Sequence, residues 1–267
     1  AGPGNPKLIT VRALECLKQA DVVIYDYLVN KSLLKYVKFG AEIIYVGKKA
    51  GVHTLEQNEI NKLIIKKARQ KKCVVRLKGG DPYIFGRGAE EALALSYAKI
   101  SYEVVPGIPA FLGVSAYAGI PITHRKFTST ATLITGHEDP AKKESAIDFS
   151  KIAPGSGTLV FYMAVKNTAE IVKKLLINGR SPDELCAFVE WGTTVNQRPI
   201  VCTLKNAIAE VEKQKILPPA LFIVGKVVQF HKSLNWFEKL PLFGKSVVVT
   251  RSREQASELT SLLEEKG

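Results

Sequence analysis

Val75–Glu91 reads VRLKGGDPYIFGRGAEE. The apolar run Cys73, Val74, Val75 and Leu77 predicts a strand that leads straight into Gly79-Gly80-Asp81-Pro82. Two adjacent glycines after a strand let the backbone turn sharply and approach a ligand, because no Cβ intervenes. Asp81 adds a carboxylate at the strand's C-terminal edge, where open α/β sheets bind their ligands. A short aromatic stretch, Arg87 and the paired acids Glu90 and Glu91 follow, where a helix should begin. The run reads as one wall of a small-molecule site.

Outward from it, strands and helices alternate. Helical spacing links Leu8, Val11, Leu14 and Leu17, and strands are expected at Val22–Tyr25 and Ile43–Val46. A helix follows with Ile60, Leu63 and Ile64 on one face, then the Cys73–Leu77 strand, a helix over 89–98 and a strand at Tyr102–Val105. This is the βαβ rhythm of a parallel sheet. Pro106-Gly107-Ile108-Pro109 breaks the rhythm and predicts a hinge between two lobes. In the second lobe, strands are expected at Ala131–Ile134, Leu159–Tyr162, Ala187–Val189, Ile200–Leu204 and Ala220–Val224, with a helix through Ala169, Val172, Leu175 and Leu176. Several links there are short, so a mixed sheet is expected. From Gly244 a new unit starts, with a strand at Ser246–Thr250 and a helix through Ala256, Leu259, Leu262 and Leu263. One βα unit cannot bury its own apolar face, and the opening Ala1 has no strand before it. The sequence therefore reads as a fragment lacking some structure at both ends.

The 267 residues allow one large or two small domains. At 46% hydrophobic and 24% charged, the composition is that of a globular protein, with no apolar run able to span a bilayer and no signal peptide. Cys16, Cys73, Cys186 and Cys202 lack a C-x-x-C pair and read as buried free thiols of a reducing compartment, the cytoplasm. His53, His124, His137 and His231 lack metal-ligand spacing, so no metal is expected. The net charge of +13 admits nucleic acid, an anionic membrane, a polyanionic small molecule or simply a solvated lysine surface. The basic and acidic side chains after Pro241 cancel, so the excess lies upstream, with the motifs.

Asp26 and Lys48 each follow a predicted strand and would converge at one sheet edge, as a proton-transfer pair or as a surface salt bridge. Arg87 and Glu90, three apart at a helix start, share a face. Arg125 ends an apolar run and has the planar fork suited to carboxylates. Met163, the only methionine, closes a strand, either as gap-filling core or against a sulfur-bearing or aromatic ligand. Trp191-Gly192-Thr193-Thr194 is another strand-to-loop glycine, and Trp191 alone could simply pack in the core. The turn Ala1-Gly2-Pro3-Gly4 is compatible with an anion at a helix start or with an ordinary turn, and it is not the G-x-G-x-x-G dinucleotide fingerprint.

Taken together, AGPGNPKLIT (from Ala1), ADVVIYDYLV (Ala20), VGKKAG (Val46), VRLKGGDPYIFGRGAEE (Val75), VVPGIPAFLGVSAYAGIPITHR (Val104), TLVFYMAV (Thr158), WGTTVNQR (Trp191), PPALFIVGKVV (Pro218) and LNWF (Leu234) resemble the tetrapyrrole methylase family. The resemblance covers nearly all of the chain to about Phe237. It implies a two-lobed α/β fold, mostly parallel in the first lobe and mixed in the second. S-adenosyl-L-methionine would lie in the cleft, held without a Rossmann fingerprint. The implied domains are residues 1–107 and 108–240, followed by 241–267, which resembles the truncated start of a uroporphyrinogen-III synthase.

By position, the resemblance assigns the cofactor to Pro3, Gly79, Gly80, Asp81, Ile84, Pro109, Ala110, Met163 and Gly192. Asp26 and Lys48 match the proton acceptor and donor, while Arg87, Glu90 and Arg125 match positions linked to substrate binding or catalysis. The chain departs from the family where Pro109 replaces a usual Thr, with loss of a hydroxyl contact, and where Asn5 replaces a frequent Asp. The implied reaction is methylation of uroporphyrinogen III at C2 and C7 to precorrin-2, for sirohaem or cobalamin, by a homodimer with neither nucleic-acid nor membrane partners. The substrate's eight carboxylates give the positive charge a use. The competing readings are a family methylase acting on a later precorrin or another substrate, and a basic nucleic-acid-binding protein. The second competes poorly, because the sequence holds no helix-turn-helix, RRM or zinc module.

Overall fold

The computed structural model describes residues 1–47, 55–70, 72–138, 145–155, 157–250 and 253–267. The chain divides into two compact units, Ala1–Gly113 and Val114–Gly267.

The first unit runs α1 (Val11–Gln19), β1 (Val22–Tyr25), β2 (Glu42–Tyr45), α2 (Gln57–Arg69), β3 (Val74–Leu77) and α3 (Gly88–Tyr97), and α4 (Ala110–Tyr117) carries the boundary. The strands form a parallel sheet in the order β2-β1-β3. Alternation along β1 splits the core in two. Val23 joins Leu17, Val29, Leu33 and Leu77 on one face, while Val22 and Ile24 join Val46, Ile60 and Ile64 on the other.

Two expectations fail here. The helix does not include Leu8, because Thr10 caps α1 by accepting from the Ala13 N–H at 3.3 Å and restarts the helix after a 3₁₀ turn at Pro6–Leu8. Tyr102–Val105 forms no strand and pairs with none among the described residues. Side chains fasten that segment instead: Arg12 grips Glu103 with two hydrogen bonds (2.9 and 2.7 Å), and the Thr10 hydroxyl donates to the Pro106 carbonyl at 3.3 Å.

The second unit contains β4 (Ala131–Thr135), α5 (Phe149–Ile152), β5 (Thr158–Tyr162), α6 (Thr168–Ile177), β6 (Leu185–Glu190), β7 (Arg198–Thr203), α7 (Ala207–Lys213), β8 (Ala220–Val224), α8 (His231–Leu234) and α9 (Arg253–Glu264). Its sheet, in the order β4-β5-β8-β6-β7, is mixed: β4 and β5 are parallel, and the other pairs are antiparallel. The centre of the core is a cross-strand aromatic ladder. Phe222 on β8 lies opposite Phe161 on β5 and Phe188 on β6, with ring centroids 5.8 and 4.3 Å away, all fully buried. The strand expected at Ser246–Thr250 does not form: among the described residues no strand pairs with it, and Val247 and Val248 are exposed.

The thiols also depart from expectation. Cys186 is buried, Cys16 and Cys202 are half-buried, and Cys73 is exposed. Cys73 sits just ahead of β3, where its N–H donates to Asp21 at 2.7 Å.

Truncating Phe222 to Ala removes the ring shared by both stacks. We expect a loss of about 3–5 kcal/mol, against less than about 1.5 kcal/mol for Phe222→Leu, read from urea-induced unfolding followed by circular dichroism.

Candidate active site

In the first unit, the parallel strands end at one edge, and charge appears there on a face that is apolar further back. Val22 and Ile24 on β1 and Val74 on β3 belong to the α2 side of the sheet. Two residues on, the same face carries Asp26, Arg76 and Lys78. The Arg76 guanidinium donates to Asp26 Oδ2 (3.1 Å) and to Glu91 Oε1 (3.1 Å). Lys78 Nζ (2.9 Å) and Gln57 Nε2 (3.1 Å) donate to the same Glu91 oxygen. Arg76, Lys78 and Glu91 are nearly inaccessible. Burial, and then the neighbouring Arg76, lower the Lys78 ammonium from its ordinary pKa, while Glu91 and Asp26 act in the opposite sense. Asp26 Oδ1 is buried and accepts no hydrogen bond among the described residues.

Sequence reasoning passed over Arg76, Lys78 and Glu91 as site-builders. The available signal was two cations at alternate positions in an otherwise apolar strand, with an acid at the next helix start. Lys48, expected beside Asp26, lies outside the described residues.

Beyond Lys78 the chain turns through Gly79 and Gly80 (φ +65°). Gly2 and Gly80 form an antiparallel bridge, which brings Pro3 alongside, and the Pro3 ring packs against Gly113 of α4. Gly80 faces the Ala110 nitrogen and Pro109 Cα, where a Cβ would come within 3.8 and 3.9 Å. Asp81 braces this assembly: Oδ2 accepts from the Gly107 N–H (2.9 Å) and Oδ1 from the Tyr83 N–H (2.8 Å). A Cβ on Gly107 would sit 2.4 Å from the Gly80 carbonyl oxygen. Pro3, Gly79, Gly80, Asp81, Pro109 and Ala110 are thus contiguous, and half-buried Ile84 follows on the same loop. Arg87, in the left-handed region (φ +58°) at the start of α3, holds Glu90 through two bonds of 2.8 and 2.7 Å. That pair is exposed.

In the second unit, β4, β5 and β6 point the same way, so Met163 after β5 and Trp191-Gly192-Thr193 after β6 meet one sheet edge. The backbone there is unusual: Met163, Trp191 and Thr193 all have positive φ (54°, 46° and 67°). Met163 is 49% exposed, which rules out gap-filling core. A Cβ on Gly192 would lie 2.5 Å from a Val114 methyl. Arg125 is exposed, in the turn between His124 and Thr128.

Each unit therefore presents its candidate residues at strand carboxyl edges, in the manner of α/β enzymes that act on small molecules. Among the described residues no His, Cys, Asp or Glu cluster could hold a metal, and no helix is long and apolar enough to cross a membrane. The family model for Tetrapyrrole (Corrin/Porphyrin) Methylases matches residues 1–208. The chain is 46% identical over 240 residues to a Bacillus subtilis uroporphyrinogen-III C-methyltransferase, covering 89% of this chain and 92% of that protein. It is 47% identical over 235 residues to a Methanosarcina barkeri S-adenosyl-L-methionine-dependent uroporphyrinogen III methyltransferase, covering 88% and 92%. Among solved structures, the Thermus thermophilus uroporphyrin-III C-methyl transferase complexed with S-adenyl homocysteine is similar, with a TM-score of 0.71 and 38% identity over 85% of this chain and 95% of that one. The chain belongs to the tetrapyrrole methylase family.

Glu91→Ala takes the carboxylate from buried Lys78 and leaves Arg76 with Asp26 as its acid partner, so unfolding should become easier by about 3–5 kcal/mol. Glu90→Ala breaks an exposed pair and should change stability by less than about 1 kcal/mol. Denaturant titration of both variants tests the contrast.

Proposed function

We propose that the chain catalyses S-adenosyl-L-methionine-dependent C-methylation of uroporphyrinogen III at C2 and C7, giving precorrin-2 for sirohaem or cobalamin. The observation that carries this reading is identity of nearly half the residues, over almost the full length, with proteins named for that reaction. Local geometry supports it. The Gly80–Ala110 approach leaves a side-chain-free backbone surface suited to the polar parts of such a donor. Exposed Met163 offers a polarizable contact for an aromatic or sulfur-bearing one.

When bound, the donor supplies an electrophilic methyl on a sulfonium. The chain's own residues supply placement, the main demand for attack by an electron-rich pyrrole carbon. In this reading Pro3, Gly79, Gly80, Asp81, Ile84, Pro109, Ala110, Met163 and Gly192 hold the donor, with Asp81 acting through its brace on Gly107. Pro109 offers only backbone and ring contacts. Arg87 and Arg125 bind substrate carboxylates. The Arg87–Glu90 pair is exposed and worth little in water, so a carboxylate can take the guanidinium from Glu90 at small cost. Asp26 accepts the ring proton at Oδ1, the oxygen that Arg76 leaves unused, and Lys48 serves as the donor. A homodimer, and a synthase-like unit beginning near Gly244, belong to the same reading.

The test is incubation of the chain with uroporphyrinogen III and labelled S-adenosyl-L-methionine, scored for mono- and dimethylated product. Absence of both, with cofactor bound, would sink the proposal. Asp26→Ala should slow turnover by about 10²–10⁴-fold at unchanged S-adenosylhomocysteine affinity. Asp81→Ala should weaken that affinity by about tenfold or more, measured by calorimetry.

A further inference from the structure

The β6–β7 hairpin sets Cys186 directly opposite Cys202, with the sulfur atoms 3.5 Å apart. Nothing in their spacing announces this, and the methyl-transfer site does not use them. Two residues along the ladder, the Leu204 N–H donates to the Glu184 carbonyl at 2.9 Å. The alternation of antiparallel pairs therefore makes Cys186–Cys202 a hydrogen-bonded pair as well. Cβ atoms of facing residues stand roughly 4.5–5.5 Å apart, whereas a relaxed disulfide holds them about 3.8 Å apart. A bond here must draw the strands together, which makes it reducible.

Access divides the two roles. Cys186 is buried in the core, while Cys202 lies half-buried on β7, the last strand of the sheet, where a small oxidant can reach it. Hydrogen bonding between the thiols pulls the Cys202 thiol below its ordinary pKa, against burial and Glu210. The same hydrogen bond, followed by burial, pushes Cys186 up. Cys202 is the more accessible sulfur, the one an oxidant meets first, and Cys186 its buried partner.

We propose that Cys186 and Cys202 are a redox-active dithiol that takes a hydroperoxide as its oxidant. The Cys202 thiolate attacks a peroxide oxygen, the O–O bond breaks, and Cys202 sulfenic acid forms as hydroxide leaves and takes up a proton. Cys186 sulfur then attacks the sulfenic sulfur, the S–O bond breaks, and the departing oxygen leaves as water with the Cys186 proton. With hydrogen peroxide, two thiols give up two electrons and two protons, and the oxidant becomes two waters. A small thiol such as glutathione reverses the change through a mixed disulfide and is itself oxidised to its disulfide. Both strands run to the turn carrying Gly192, so the cross-link fastens the base of that hairpin.

The experiment treats the reduced full chain with stoichiometric hydrogen peroxide, unfolds it in denaturant with an alkylating agent, and maps peptides by mass. Expected is a Cys186–Cys202 peptide pair lighter by two hydrogens. Both alkylation signals should be lost together and be restored by glutathione, while Cys73 stays alkylated. Cys202→Ser should leave Cys186 alkylated at the same dose, and Cys186→Ser should leave Cys202 as a sulfenic acid trapped by dimedone. Alkylation of both residues at a dose that already consumes the exposed Cys73 would overturn the proposal. So would a Cys202 disulfide to any other cysteine, and both readouts come from the unaltered chain.

Discussion

One oxygen of Glu91 organises the edge of the first unit's sheet where Asp26, Arg76 and Lys78 gather. It accepts from Arg76 on β3, Lys78 just after β3 and Gln57 on α2, while Glu91 itself belongs to α3. Burying two cations and a carboxylate costs several kcal/mol per ion, and their mutual attraction only roughly offsets this. Such a cluster is therefore poor glue. Its value is positional: Glu91 ties Lys78 to Arg76, and Arg76 in turn ties Glu91 to Asp26. The end of β3 is thereby fixed where it enters Gly79-Gly80, and Asp26 is held by one carboxylate oxygen while the other is spared.

The two edges are built by different means. In the first unit the parallel strands end together, and a glycine-rich loop is pinned by main-chain bonds to Asp81. In the second, Met163, Trp191 and Thr193 adopt left-handed backbone, which costs of order 1–3 kcal/mol at a non-glycine residue. Three such residues at one sheet edge are hard to explain as loop accidents. Gly192 between two of them packs against Val114 at a distance that no side chain allows. Strain held by close packing is a reason to look for ligand contact there, and it falls on the positions where the family resemblance puts the methyl donor.

Much of this architecture was legible in the sequence. Continuous apolar runs placed β1 and β8 to the residue, since both are short and bounded by turns. That reading failed at Tyr102–Val105 and Ser246–Thr250, where an apolar run has strand character but no partner among the described residues; a strand is a property of a pair, and partners are not written locally. The same limit hid the site's chemistry. Arg76 and Lys78 disappeared into a run read as apolar, and their meaning came only with Glu91 folded beneath them. Cys186 and Cys202 looked unrelated until the hairpin register set them opposite each other.

The mixed sheet of the second unit has a consequence for its active edge. Because β8 runs against both β5 and β6, the strand lying between two carboxyl ends begins at that edge instead of ending there. Its entry is marked by Pro219, whose carbonyl accepts the Trp191 N–H at 3.0 Å. An all-parallel sheet would place a third strand-to-helix loop in that position. Here a short proline-rich approach occupies it and leaves Met163 and Gly192 on flanking turns, with one of those turns tied directly to the chain between them. The antiparallel insertion thus separates Met163 from Gly192 while bracing the Gly192 turn through the Trp191–Pro219 hydrogen bond.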